Sequence, residues 1–193
     1  MHSSIDLLRH GETQGGPGFF GSTNTPLTEQ GWVQMWSAVD NAPRWNRIVA
    51  SPLARCAAFA QALAEKHAIR LTLEERIQEM HFGAWEGQSA SELMATDADA
   101  LARFWRDPSQ HTPPDAEPLA SFVNRVLTAW NDIALRHRDE NVLLVTHGGV
   151  IRVILCQILQ HPVERLLELE VKHAALRRIQ IEHATGCFHA TVL

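Results

Sequence analysis

The sequence predicts an α/β fold, a three-layer α/β/α sandwich with a mainly parallel central sheet. Short apolar segments typical of buried strands alternate along the chain with longer segments that have the apolar periodicity of helices. Strands that alternate with helices are joined by right-handed crossovers, which make the strands parallel. The length of 193 residues suits one such unit, so we expect a single domain over residues 1–193.

The predicted elements follow from local patterns. Apolar or alternating runs bounded by turn residues predict strands, and apolar residues at three- and four-residue spacing predict helices. The predicted strands are 5–8, 47–50, 69–73, 141–145 and 187–192, with short elements at 164–172 and 175–181. The predicted helices are 29–39, 52–67, 90–106, 119–137 and 150–159.

Two helix starts carry specific signals. Thr28 is expected to be the N-cap of the first helix, and the apolar stripe that begins at Trp32 is expected to face the core. Ser51 before Pro52 suits an N-cap with proline at the first helical position, which puts Arg55 in the first turn. A cation there is unfavourable for the helix dipole unless an anion binds beside it.

Composition excludes several classes of protein. The net charge is −5 and no basic run is present, so we expect no nucleic-acid partner. Three cysteines without a CxxC pair or metal-ligand spacing indicate reduced thiols in a cytoplasmic protein with no metal and no cofactor. We find no secretory signal and no apolar run approaching ~18 residues, so no membrane span is expected. No pattern indicates an oligomeric state.

Glycines and basic side chains directly follow three of the predicted strands. Because parallel strands end at one edge of a sheet, two arginines and two histidines are expected to converge there. Each segment alone also suits an exposed strand end, but the same placement at three ends favours an active site. The segments are Arg9-His10-Gly11, Ser51-Pro52-Leu53-Ala54-Arg55 and Thr146-His147-Gly148-Gly149.

This set of residue types suits a phosphoryl group. Guanidinium groups and amides at helix N-termini bind its oxygens, and a neutral imidazole can attack phosphorus to form a covalent intermediate. A nearby glutamate can then protonate the leaving alkoxide. The stretch 74–87 holds four candidate glutamates, which the pattern alone does not rank. A phospho-ligand binding protein without catalysis is the non-enzyme alternative.

The segment Leu8-Arg9-His10-Gly11-Glu12-Thr13, together with the other two strand ends, resembles the signature of the histidine phosphatase superfamily, which has the phosphoglycerate mutase-like fold. The resemblance implies that His10 is the phosphorylated nucleophile and that Glu79 is the proton donor and later the base. It further implies phosphoryl-group contacts from Arg9, Arg55 and His147, and backbone contacts from Gly21 and Gly148. Gly16 stands where many relatives carry asparagine, and Asn24 or the backbone is expected to replace that contact.

Within the superfamily, the segment 79–87 is similar to the Glu-x-x-Phe-Gly-x-Trp-Glu pattern of α-ribazole phosphatases. The resemblance implies hydrolysis of α-ribazole 5′-phosphate, or its cobamide form, in cobalamin biosynthesis, with a small phosphorylated metabolite as partner. A broad-specificity histidine phosphatase and a phosphoglycerate mutase are the alternatives. Glu86 is the rival acid, although a role in capping the following helix is favoured. Nearby aromatic residues either pack in the core or stack on a substrate base; they are Phe19, Phe20, Phe82 and Trp85.

Overall fold

The computed structural model describes residues 2–42 and 44–193. These residues form a six-stranded mixed sheet flanked by five α-helices. Along the sheet the strands lie in the order β3-β2-β4-β1-β5-β6. The strands are β1 His2–Arg9, β2 Arg47–Ala50, β3 Arg70–Leu73, β4 Asn141–Thr146, β5 Leu176–Ala184 and β6 Cys187–Val192. The helices are α1 Glu29–Val39, α2 Ala54–His67, α3 Ala90–Arg106, α4 Leu119–Arg136 and α5 Gly148–Leu159, with short 3-10 helices at Glu75–Ile77, Gly83–Trp85 and Val163–Glu168.

The sheet is covered by helices on both faces. Alternate residues of a strand point to opposite faces, and in β1 Leu7 packs with α4 and α5 whereas Leu8 packs with α1 and α2. In β4, Leu144 and Leu143 divide in the same way. The predicted three-layer α/β/α sandwich is therefore confirmed.

The parallel part of the sheet is the part that carries the strand ends singled out above. β1 pairs with β4, β4 with β2, and β2 with β3, all in parallel register. β5 pairs antiparallel with β1, and β6 pairs antiparallel with β5, so these two strands extend the sheet beyond β1. They are joined by a turn in which Gly186 has a φ of +77°, a conformation that favours glycine.

Most element boundaries lie within two residues of the prediction, and the larger differences include β1, which begins at His2, and β5, which ends at Ala184. Thr28 caps α1 as predicted, since its hydroxyl accepts a hydrogen bond from the Gly31 amide. The predicted Ser51 cap is wrong: α2 begins at Ala54, and the side chain of Asn24 accepts the Ala54 amide hydrogen at 2.7 Å. The cap of α2 therefore comes from Asn24, which is distant in the sequence, and not from a residue next to the helix. The residues around the helix start give no indication of this contact.

Two further boundaries differ from the prediction. α5 begins two residues early, at Gly148, because His147 already has the extended backbone of an N-cap. β5 runs on to Ala184, where it forms a hairpin with β6. The early start of α5 brings the amides of both glycines after His147 into its first turn.

The apolar stripe of α1 packs as predicted. Met35 is fully buried, and the rings of Trp32 and Trp36 lie against Phe59 of α2. A separate small cluster forms where α3 meets the loop after β3, through Leu93, Leu101, Phe104 and Trp85. No helix among residues 2–42 and 44–193 is long and apolar enough to cross a membrane.

Candidate active site

The carboxyl ends of β1, β4 and β2 open onto one cavity of about 370 Å³. The structure brings Arg9, His10, Arg55 and Glu79 together in its wall, as the convergence of strand ends predicts. Gly148, at the start of α5, also lines the cavity. Five of the predicted site residues therefore line one cavity.

His10 is a buried imidazole, and among residues 2–42 and 44–193 only one of its ring nitrogens has a hydrogen-bond partner. Its side chain is 8% exposed, and Nδ1 lies 2.8 Å from the carbonyl oxygen of Gly11. A carbonyl only accepts, so Nδ1 carries the proton and Nε2 keeps its lone pair. Burial, followed by the charges of Arg55 and Arg9, holds the His10 pKa well below its usual value. The ring is therefore in the state that a nucleophile requires.

His147 is fully buried and has partners at both ring nitrogens. Arg55 Nε donates to Nδ1 at 3.2 Å, and Nε2 lies 2.7 Å from the hydroxyl of Ser51. Burial and the nearby charge of Arg55 lower its pKa well below the usual value. Its ring centroid lies 5.3 Å from that of His10, but His147 is not among the residues that line the cavity. In this structure His147 therefore binds Arg55 and lies outside the cavity.

Arg55 is completely buried and binds only neutral acceptors. Its two terminal nitrogens donate to the carbonyl oxygens of Phe20, Gly21 and Thr23 at 2.8 to 2.9 Å, while Nε donates to His147. Burial lowers its pKa from the ordinary arginine value, but a guanidinium of such high basicity stays charged. The site therefore contains a buried cation that a bound anion would stabilise.

Arg9 has unused hydrogen-bond donors in the same cavity. Its Nη1 donates to the Val171 carbonyl at 2.7 Å, whereas its Nε is buried with no partner. None of the ion pairs among residues 2–42 and 44–193 includes Arg9 or Arg55. A buried donor without an acceptor is uncommon in proteins and indicates a place for a ligand.

Glu79 lies in the cavity wall against the start of α5. Its Oε2 accepts the Gly149 amide hydrogen at 2.9 Å, and Oε1 accepts that of Met80 at 3.0 Å. A Cβ at position 149 would collide with Oε1 of Glu79, so only glycine permits this approach. The second glycine of the His-Gly-Gly segment thus makes room for the carboxylate.

Glu86, the rival acid, is a structural carboxylate outside the cavity. It accepts the amide hydrogens of Gly21, Ser22, Thr23 and Phe82 at 2.9 to 3.1 Å and the hydroxyl of Thr23. Burial opposes its ionisation, but these donors outweigh burial and lower its pKa. The predicted capping role is wrong, because Ser89 and Glu92 cap α3. Glu86 instead binds the loop of residues 19–24.

Two predicted phosphate contacts have other partners in this structure. The amide of Gly21 donates to Glu86, and the Asn24 side chain caps α2. Neither residue lines the cavity. Gly16 does line it, with a φ of +74° and open space where a Cβ would point. The position at which many relatives carry asparagine is therefore at the cavity but has no side chain to reach into it.

Sequence reasoning missed two cavity residues with ionisable side chains, Arg152 and His173. Arg152 lies four residues after Gly148, which places it on the same helix face, and this spacing is a usable signal. Its Nε donates to the Leu169 carbonyl at 2.8 Å, and its Nη1 lies 3.0 Å from where a Cβ of Gly148 would be. His173 follows no strand or helix pattern, yet its ring centroid is 5.7 Å from that of His10.

The aromatic residues divide between packing and the cavity wall. Trp85 is buried in the small cluster beside α3 and does not line the cavity. Phe19, Phe20 and Phe82 do line it, together with two aromatic residues of α3 that the sequence did not single out, Phe104 and Trp105. Trp105 is 45% exposed, so its side chain is accessible both from the cavity and from solvent.

The cavity thus joins free guanidinium donors, a neutral imidazole, a carboxylate and an apolar wall. Such a set suits phosphoryl-group chemistry, in which positive charge and fixed donors stabilise the oxygens of the transferring group. Within the described part of the chain, no group of three or more histidine, cysteine, aspartate or glutamate side chains is placed to hold a metal ion.

Comparison with known proteins agrees with this class of site. The family model of the histidine phosphatase superfamily, branch 1, matches residues 5–191. The chain belongs to this superfamily, and the predicted enzyme class, a phosphoric monoester hydrolase, is confirmed by the phosphatases among its relatives.

Three matches show the range of its relatives. The chain is 28% identical over 180 residues to the adenosylcobalamin/alpha-ribazole phosphatase of Salmonella typhimurium, covering 91% of this chain and 89% of that protein. It is 29% identical over 169 residues to the glucosyl-3-phosphoglycerate phosphatase of Mycolicibacterium vanbaalenii, covering 82% and 75%. The solved structure of YhfR from Bacillus stearothermophilus superposes with a TM-score of 0.86 at 29% identity, covering 98% and 96%.

Replacing Glu86 with glutamine is expected to loosen the loop of residues 19–24. Glutamine offers one acceptor oxygen instead of two and loses the negative charge that binds the loop amides. Hydrogen exchange at Gly21, Ser22 and Thr23 should accelerate by about tenfold or more, because a hydrogen bond to a charged group contributes about 1.5 kcal/mol or more. Glu92→Gln, which removes a carboxylate from the α3 capping box, is the control. Equal exchange in wild type and Glu86→Gln would contradict the assigned role.

Proposed function

We propose that the protein hydrolyses phosphomonoesters, without a metal ion, through a phosphohistidine intermediate at His10. The observation that carries the proposal is the neutral His10 ring, whose Nδ1 is tied to the Gly11 carbonyl while Nε2 stays free in a cavity with unused arginine donors. Fixing one nitrogen orients the other, as in other sites that use histidine. A neutral imidazole in this orientation can form the covalent intermediate of nucleophilic catalysis.

The arginines are proposed to bind the phosphoryl group. Arg9 offers its unpartnered Nε, and Arg152 offers terminal nitrogens that have no hydrogen-bond partner among the described residues. Arg55 contributes mainly its charge, since four of its five N–H donors already have acceptors. The cavity wall contains three guanidinium groups and one carboxyl group, that of Glu79. This excess of positive charge suits a phosphomonoester, which carries two negative charges. The Gly148 amide at the start of α5 adds a donor.

The reaction is proposed to occur in two steps. Nε2 of His10 attacks phosphorus, the bond from phosphorus to the ester oxygen breaks, and the leaving alkoxide takes a proton from the Glu79 carboxyl group. Water then attacks phosphorus as Glu79 takes back a proton, the bond from phosphorus to Nε2 breaks, and phosphate leaves. Glu79 acts in both steps because it lies in the same wall as His10.

The proposed substrate is α-ribazole 5′-phosphate or its cobamide form, and the proposed location is the cytoplasm. The Salmonella relative bears the name of this activity, and the aromatic wall of the cavity suits a flat, apolar base. All three cysteines are free thiols, in keeping with a reducing compartment. The relative named for glucosyl-3-phosphoglycerate favours a second candidate, a phosphatase with another or a broader specificity.

His10→Ala should abolish turnover of 4-nitrophenyl phosphate, because no other imidazole in the cavity has the same fixed orientation. Wild type should keep its full rate in EDTA, since the positive charge comes from arginine side chains. His161→Ala, at a partly exposed histidine outside the cavity, is the matched control and should keep the wild-type rate. Undiminished turnover by His10→Ala would contradict the mechanism, and wild type that binds phosphate without turnover would identify a phospho-ligand binding protein.

Glu79→Gln should lower kcat/KM for an alkyl phosphate by about 10² or more, since proton transfer to a poor leaving group contributes that much. The same change should lower kcat/KM for 4-nitrophenyl phosphate by less than about tenfold, because nitrophenolate leaves without a proton. This ratio reports the step up to phosphorylation of His10 and not the later hydrolysis. Equal losses with both substrates would contradict the acid role.

α-Ribazole 5′-phosphate should have the highest kcat/KM in a panel that includes 3-phosphoglycerate, phosphoserine and nucleoside monophosphates. We expect a margin of about tenfold or more from contacts to the base. Trp105→Ala should reduce this margin, whereas Met94→Ala, at another exposed apolar residue of α3 that does not line the cavity, should preserve it. Similar values across the panel would contradict the substrate and favour broad specificity.

A further inference from the structure

We infer that Arg125 of α4 is a positioning residue for Glu79, a role that rests on the proposed function of that carboxylate. Glu79 lies in an irregular stretch between two 3-10 helices, Glu75–Ile77 and Gly83–Trp85. Such a stretch has no regular ladder of backbone hydrogen bonds to fix it. Arg125 supplies fixed partners from the neighbouring helix.

One guanidinium group binds three backbone carbonyls of this segment. Nη1 of Arg125 donates to the carbonyl oxygens of Arg76 at 2.9 Å and Gln78 at 2.7 Å, and Nη2 donates to that of Glu79 at 2.9 Å. The contact is to the Glu79 backbone and not to its carboxylate. Arg125 therefore acts on where the carboxylate lies and takes no direct part in the chemistry.

Arg125 is itself held in one orientation. Its Nε and Nη2 bind the two carboxylate oxygens of Glu117 at 2.7 and 2.8 Å, and its guanidinium carbon lies 4.8 Å from the centre of the Phe122 ring. The amide of Glu117 also donates to the His81 carbonyl at 3.0 Å, two residues beyond Glu79. Both sides of the Glu79 stretch are thus bound to one arginine–carboxylate pair.

With Arg125 and Glu117 in place, Glu79 is held at both its side chain and its backbone. The carboxylate end is held by the amide of Gly149, and the backbone end is held by Arg125. Phe122 links the two ends, since its ring lies under Arg125, lines the cavity and comes within 3.2 Å of the position of a Gly149 Cβ. Because a displacement of about 1 Å at a reacting group can reduce a rate about 10²-fold, this support has a catalytic consequence.

The test is the leaving-group dependence of kcat/KM in Arg125→Met. We expect a loss of about tenfold or more with an alkyl phosphate and a loss under about threefold with 4-nitrophenyl phosphate, because only the alkyl phosphate needs the proton from Glu79. Arg125→Lys keeps a donor to one carbonyl and should recover part of the alkyl phosphate activity. Arg76→Met is the matched control, because Arg76 also ties this stretch to α4, through Asp132, without touching Glu79.

A second measurement separates positioning from a merely structural role. If Arg125 acts through Glu79, adding Arg125→Met to Glu79→Gln should cause no further selective loss with the alkyl phosphate. A loss that is equal for both substrates, or additive in the double variant, would overturn the inference. Should Arg125→Met fail to fold in a thermal unfolding scan, Glu117→Gln releases the same guanidinium and is judged by the same criteria.

The controls also keep the two proposals apart. Absence of turnover by wild type, or no leaving-group dependence in Glu79→Gln, would overturn the proposed function itself. A different outcome would overturn only the positioning role. In that outcome, wild type and Glu79→Gln behave as expected, but Arg125→Met loses the same factor of kcat/KM with both substrates.

Discussion

The buried guanidinium of Arg55 is the interaction on which the site depends. A full positive charge sits in the interior with three carbonyl oxygens and one imidazole nitrogen as its partners, and no carboxylate is paired with it among the described residues. Taking a charge out of water costs several kcal/mol unless hydrogen bonds and an opposite charge compensate. The hydrogen bonds are already present, and a phosphoryl group would supply the opposite charge.

The same charge sets the state of its neighbours. By donating to Nδ1 of His147, Arg55 fixes the tautomer of that ring, and with burial it keeps both His147 and His10 neutral. Through its carbonyl partners it also holds the loop of residues 19–24, whose amides are bound from another direction by Glu86. The loop beside the cavity is therefore bound by a cation at its carbonyls and by an anion at its amides.

Sequence patterns predicted the sheet, the three strand ends and the family, because each depends on contiguous residues. Alternation, apolar runs and the Arg-His-Gly and His-Gly-Gly segments are local signals. The features that these local signals did not predict depend on contacts between residues that are far apart in the sequence. Asn24, thirty residues before α2, provides the cap expected of Ser51, and Glu86 binds a loop more than sixty residues away. The spacing of the glutamates likewise carried no sign that Glu79 meets the α5 amides while Glu86 is used elsewhere.

The proposed mechanism requires a covalent bond between phosphorus and Nε2 of His10. The most direct measurement is mass spectrometry of protein mixed briefly with an aryl phosphate, quenched in alkali to preserve phosphohistidine, and digested to peptides. The proposed mechanism predicts one added phosphoryl group, located on His10, that disappears as phosphate is released. A phosphoryl group on another residue, or turnover with no labelled peptide under conditions that preserve phosphohistidine, would contradict it.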